Sequence, residues 1–107
     1  MKKHMFDLMK KAKELQSKMA ELQEELAAAE VEGLSGGGMV KVTLNGKGEM
    51  KGLSIDPSML KEDEAEILED LIIAAHKDAK TKAEEHAAAK MKEVTGDLPI
   101  PPGMTLF

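Results

Sequence analysis

The chain has 107 residues, enough for one domain, and its 33% charged residues and net charge of −5 describe an acidic, well-solvated surface. It has no cysteine, which excludes disulfides and thiolate metal sites, and no stretch reads as a membrane span. All 15 basic residues are lysine, so the arginine fork that grips a guanine edge is excluded too.

The apolar residues Met5, Leu8, Ala12, Leu15, Met19, Leu22, Leu26 and Ala29 recur at alternating intervals of three and four. That is an a/d heptad seam, and it predicts a helix over residues 4–29, about 40 Å long. The opening lysines resemble those of a secretion signal, but no apolar run follows them, so a cytoplasmic protein is expected.

Three short strands come next. Residues 31–35 read as the first, with Ser35-Gly36-Gly37-Gly38 as the turn. Val40, Val42 and Leu44 then alternate with Lys41, Thr43 and Asn45, the period of a half-buried strand. Asn45-Gly46-Lys47-Gly48 supplies a hairpin turn, and Leu53 and Ile55 alternate with polar or small residues on the third strand. A meander this small cannot bury both faces alone, so helices or a second subunit must cover it.

Asp56-Pro57 is an N-cap followed by proline at the first helical position, opening a single turn through Leu60. A second start at Asp63, with Glu66 three residues on, begins a helix of about 30 residues, about 45 Å long. Its first half holds Ile67, Leu68, Leu71, Ile72 and Ile73, a cluster able to cover the sheet. From residue 76 to 93 the apolar residues are alanines and Met91, and that half is expected to project as an arm. Gly96 is the expected C-cap. Residues 1–96 then form a single domain, with 97–107 an extended proline-rich tail.

Charge is segregated along the chain. Residues 1–20 carry a net +4, 21–60 a net −4, 61–75 a net −5 and 76–93 a net +1. If the two long helices run back to back, the two non-acidic segments meet and the distal arm is positive above a negative body. Lys3, Lys10, Lys11, Lys13 and Lys18 stand at f, g and b positions, off the apolar seam, and Lys77, Lys80 and Lys82 extend the set. Such a cluster reads either as a solvated helix face or as a phosphate-binding surface.

Nothing in the sequence assembles a catalytic or metal site. His4, His76 and His86 lack ligand spacing, and Ser35–Gly38 lacks the Gly-Lys-Ser/Thr of a phosphate loop. The carboxylate pairs Glu69/Asp70 and Glu84/Glu85 are adjacent in sequence and point apart on a helix. Ser17, Ser54 and Ser58 have no neighbouring histidine. A protein that is not an enzyme, with no cofactor and no metal, is expected.

The segment EVEGLSGGGMVKVTLNGKGEMKGLSIDPSML resembles the YbaB/EbfC family of bacterial nucleoid-associated proteins. So do DLMKKAKELQSKMAELQEEL before it, EDEAEILEDLIIAAHKDAKTKAEE after it, and the closing Leu98-Pro99 and Pro102-Gly103. The resemblance implies an α+β fold with two long helices, a three-stranded antiparallel meander and a short helix. It also implies a tweezer-like homodimer in the cytoplasm and nucleoid that binds duplex DNA with little sequence preference. Contacts through the first and last helices map onto Lys3, Lys10, Lys11, Lys13, Lys18, Lys77, Lys80 and Lys82. Family members often carry some arginine in the last helix, and this chain carries none. Mainly phosphate-backbone contact is therefore expected, with neither membrane nor small-molecule substrate as partner. The rival reading is a protein-interaction module whose helical arms clamp another polypeptide.

Overall fold

The computed structural model describes residues 2–95, with side chains described from Met5 to Val94. The expected C-cap Gly96 and the tail 97–107 lie outside the described residues.

The order is α1 (Lys2–Ala28), β1 (Glu30–Ser35), β2 (Val40–Asn45), β3 (Met50–Ile55) and α2 (Ala65–Thr95), with 3-10 turns at Gly36–Gly38, Pro57–Met59 and Glu62–Glu64. The expected single turn through Leu60 is the 3-10 turn Pro57–Met59, while the expected helix start at Asp63 lies inside the 3-10 turn Glu62–Glu64 that precedes α2. In the first of them the Asp56 carboxylate accepts the Ser58 N–H at 2.9 Å, as an N-cap does.

The strands form one antiparallel sheet in the order β1-β2-β3. Alternation on β2 works as the sequence requires: Val40, Val42 and Leu44 are fully buried under α2 with Ala75 and Ala79, and Val31, Leu68, Leu71 and Ile72 pack around them. A bulge between Thr43 and Leu44 pairs Thr43 with Gly52 and Leu44 with Met50, leaving Lys51 between them. The skipped residue keeps Met50 and Leu53 on the same face as Leu44 and Val42.

Close approach of α2 to β1 depends on Gly33. A Cβ there would stand 2.1 Å from the Ala75 carbonyl oxygen and 2.3 Å from the Ala79 nitrogen. Alanines from the middle of α2 onward are therefore part of the packing. Ala75, Ala79 and Ala83 are buried, and Met91 with Ala87 and Val94 packs on Leu22, Leu26 and Met19 of α1. Small side chains let a helix lie close where larger ones would hold it away.

The two helices are antiparallel, and α1 outruns α2: Met19 and Val94 both pack on the cluster of Leu22, Leu26 and Met91, and among the described residues α1 continues past that cluster over residues 2–18, about 25 Å of helix. Every described residue from Met5 to Glu14 is exposed. The molecule measures 74 × 25 × 16 Å with a radius of gyration of 19.9 Å, against about 13 Å for a compact domain of this size.

Candidate nucleic-acid interface

The arm is aimed by the hairpin between β2 and β3. Asn45 is 1% exposed; its side-chain oxygen accepts the Lys47 and Glu49 N–H groups at 2.9 and 3.0 Å, and its amide nitrogen donates to Glu49 at 2.8 Å. The turn is thereby locked. That hydrogen bond, with Lys51 and Lys47 nearby, holds the Glu49 carboxyl below its ordinary range. Gly46 then donates its N–H to the Leu26 carbonyl at 2.7 Å and to the Ala29 carbonyl at 3.2 Å. These are carbonyls at the end of α1 that the helix itself leaves unpaired. A Cβ at Gly46 would lie 2.7 Å from the Leu26 oxygen, so the contact needs glycine. Sheet and arm are thus tied at the root of α1.

On the arm, Lys10, Lys11, Lys13 and Lys18 are exposed, and among the described residues none of them takes part in an ion pair. Lys3 stands in the first turn of α1, with its side chain outside those described. These lysines cover the faces flanking the seam, while Met5 and Leu8 on the seam are themselves exposed.

The α2 lysines are placed elsewhere. Lys77, Lys80 and Lys82 sit beside the sheet, more than ten residues before the point where α2 meets Met19, which puts Lys77 about 40 Å from Lys10 along the helices. They do not extend the arm surface. Lys82 is committed to structure: its Nζ donates to the Glu32 carbonyl at 2.9 Å and lies 3.2 Å from the Asp78 carboxylate. Lys80 instead lines a groove of about 700 Å³ at the fork between α1, the hairpin and α2, together with His76, Glu84 and Lys47. Nothing local in the sequence signals that Lys47 and Lys80 line one groove, because 33 positions separate them and the docking of Gly46 brings the hairpin there. Of the other cations, Lys90 lies 3.8 Å from both Glu25 and Glu93.

Among the described residues, no cluster of three or more His, Asp or Glu side chains is arranged to hold a metal ion, and no helix is long and apolar enough to cross a membrane. What the geometry defines is an α+β protein with an acidic body and a lysine-bearing helical arm.

Sequence comparison identifies the class. Residues 1–98 match the model of the YbaB/EbfC DNA-binding family, and the chain belongs to that family. It is 65% identical over 99 residues to a nucleoid-associated protein of Agrobacterium fabrum, covering 92% of both chains. It is 59% identical over 102 residues to a nucleoid-associated protein of Brucella ovis, covering 95% of both. Its fold is similar to the crystal structure of an uncharacterised protein from Helicobacter pylori, with a TM-score of 0.73 at 29% identity over 83% of this chain and 94% of the other.

Proposed function

We propose that this chain is a homodimeric architectural protein of the nucleoid that grips duplex DNA through its phosphate backbone, with little sequence preference. By occupying and shaping DNA it modulates nucleoid organisation and gene expression. The observation that carries this reading is the arm itself: four exposed lysines without ion-pair partners among the described residues, projecting from a body whose middle segments carry a net −9. Repulsion of phosphate by the body leaves the arm as the surface that duplex DNA meets. Low specificity follows from lysine chemistry, since an ammonium lacks the planar fork that fixes two base acceptors at once.

Dimerisation is supported by apolar surface at the other end of the molecule. Met50 and Leu53 on β3 and Ile67 and Ile73 on α2 are about half exposed or more, although Met50 and Leu53 share the face that elsewhere forms the core. Leu60, at the turn before α2, is 64% exposed. The outer edge of β3 is also paired with no strand among the described residues. A second copy covers both.

A second reading, in which the arms clamp a polypeptide, draws support from the exposed seam residues Met5 and Leu8. Gel-shift titration with unrelated duplexes at two salt concentrations separates the two. Phosphate binding weakens steeply with salt, and unrelated duplexes compete within about tenfold of one another. A chain that retards no duplex at low salt yet captures an unfolded polypeptide at high salt is a clamp.

A further inference from the structure

The chain has two aromatic residues, both phenylalanine, and Phe6 is the most exposed of the described large apolar side chains. Phe6 is 72% exposed near the start of α1. It is not a seam residue: with Met5 and Leu8 at a and d, Phe6 falls at b, on the side that carries Lys10 and Lys13. At 100° per residue, Lys10 lies about 40° from Phe6 around the helix and Lys13 about 20° on the other side. Met9, one turn on, is 58% exposed beside it.

Among the described residues, no part of the chain covers this position. The first α1 residue packed on the apolar cluster shared with α2 is Met19, thirteen residues further along the helix. The apolar surface assigned above to the dimer lies about 50 Å away along the helices. A partner that extended the coiled-coil seam would cover Met5, Leu8 and Ala12 and leave the b position in solvent. Pairing of two such arms also sets like charges together, because residues 1–20 carry a net +4. The same charge attracts a polyanion. An aromatic ring with two lysines further along the same helix face, about 6 and 10 Å away on the axis and without ion-pair partners among the described residues, is complementary to a base step and the phosphates beside it.

Resting on the DNA-binding reading, we propose that Phe6 is a base-contacting wedge, inserted at a base step of the bound duplex while Lys10 and Lys13, further along the same face, hold neighbouring phosphates. Met9 supports the ring from its C-terminal side. Every base presents an apolar face, so such a wedge adds affinity and bends DNA without reading sequence, consistent with a chain that lacks arginine.

Because the chain has neither tryptophan nor tyrosine, Phe6→Trp makes a fluorophore without background. With a dye-labelled duplex, anisotropy reports binding and tryptophan emission reports stacking. Phe6→Trp is expected to bind and to lose most of its emission on doing so, through contact with the bases. Phe6→Ala is expected to keep the wild-type melting temperature and salt slope while binding about tenfold more weakly. It is also expected to lose a bend of at least about 20° in a duplex labelled at both ends. Binding with unchanged emission, or an alanine variant with wild-type affinity and bend, overturns the wedge and leaves the phosphate-binding arm standing. A blue-shifted emission in DNA-free Phe6→Trp, growing with protein concentration, assigns the ring to a protein contact and also overturns it. If wild-type anisotropy shows no binding to any duplex, the DNA reading and the wedge fall together.

Discussion

The Asp78 carboxylate accepts the N–H of Leu34 at 3.0 Å, tying α2 to the outer edge of β1. Its neighbour one turn on, Lys82, completes the tie by donating to the Glu32 carbonyl. An edge strand presents a row of unpaired groups that invite another chain. Here α2 occupies that edge on β1 with its own side chains, so β3 is left as the edge on which a second subunit can add.

The Leu34 N–H, and then Lys82, hold the Asp78 carboxyl below the ordinary aspartate value of 3.8. A depressed folded-state pKa contributes stability above the unfolded value, and the contribution is lost as pH falls through the folded one. Asp78→Ala is therefore expected to speed hydrogen exchange at the Leu34 amide and to lower the melting temperature at neutral pH. The gap from wild type should close as pH drops below 3.8. A gap that persists unchanged into acid shows that the charge of Asp78 is not what holds this edge.

Gly33→Ala tests how closely α2 is seated. The added methyl meets two backbone atoms of α2 within 2.3 Å, and neither is the end of a flexible side chain. Separating the layers to admit it is expected to cost about 1–3 kcal/mol. Urea denaturation measures this directly, and a midpoint equal to wild type contradicts the packing described.

Much of this architecture was legible in the sequence. The heptad seam gave α1, the Val40-Val42-Leu44 alternation gave the central strand, and Asn45-Gly46 gave the hairpin, because each of these signals is local. The alanine-rich half of α2 reads from the sequence as a projecting arm that anchors no large core, and its packing is not visible there. Its partners are Gly33, far away in sequence, and the seam residues Leu22 and Leu26, and a small residue packing against glycine leaves no hydrophobic signature. The free arm is instead the start of α1, whose seam looks the same along its whole length although only the part from Met19 onward meets α2. Composition likewise could not separate the arm lysines from Lys82, whose role as a clasp on β1 depends on a fold-level contact. The b position of Phe6 in the heptad marks it as misplaced for a core residue.

The proposed dimer surface is open to direct attack. Leu53→Glu combined with Ile73→Glu places two charges on half-exposed apolar positions that this chain does not itself bury. The double variant is expected to fold and to sediment at the 11.6 kDa chain mass, while the wild type sediments at twice that value. A wild-type chain that remains at 11.6 kDa at micromolar concentration contradicts the dimer.

The central claim is that exposed arm lysines hold the phosphate backbone, and the dependence of affinity on salt tests it most directly. Each lysine–phosphate contact releases about 0.9 of a counterion, so four to six contacts give a slope of about −4 to −5 in a plot of log K against log salt. Lys10, Lys11 and Lys13 replaced together by glutamate should abolish binding while helicity and sedimentation stay as in the wild type. A flat salt dependence in the wild type, or a triple variant that binds as tightly and with the same slope, contradicts the account.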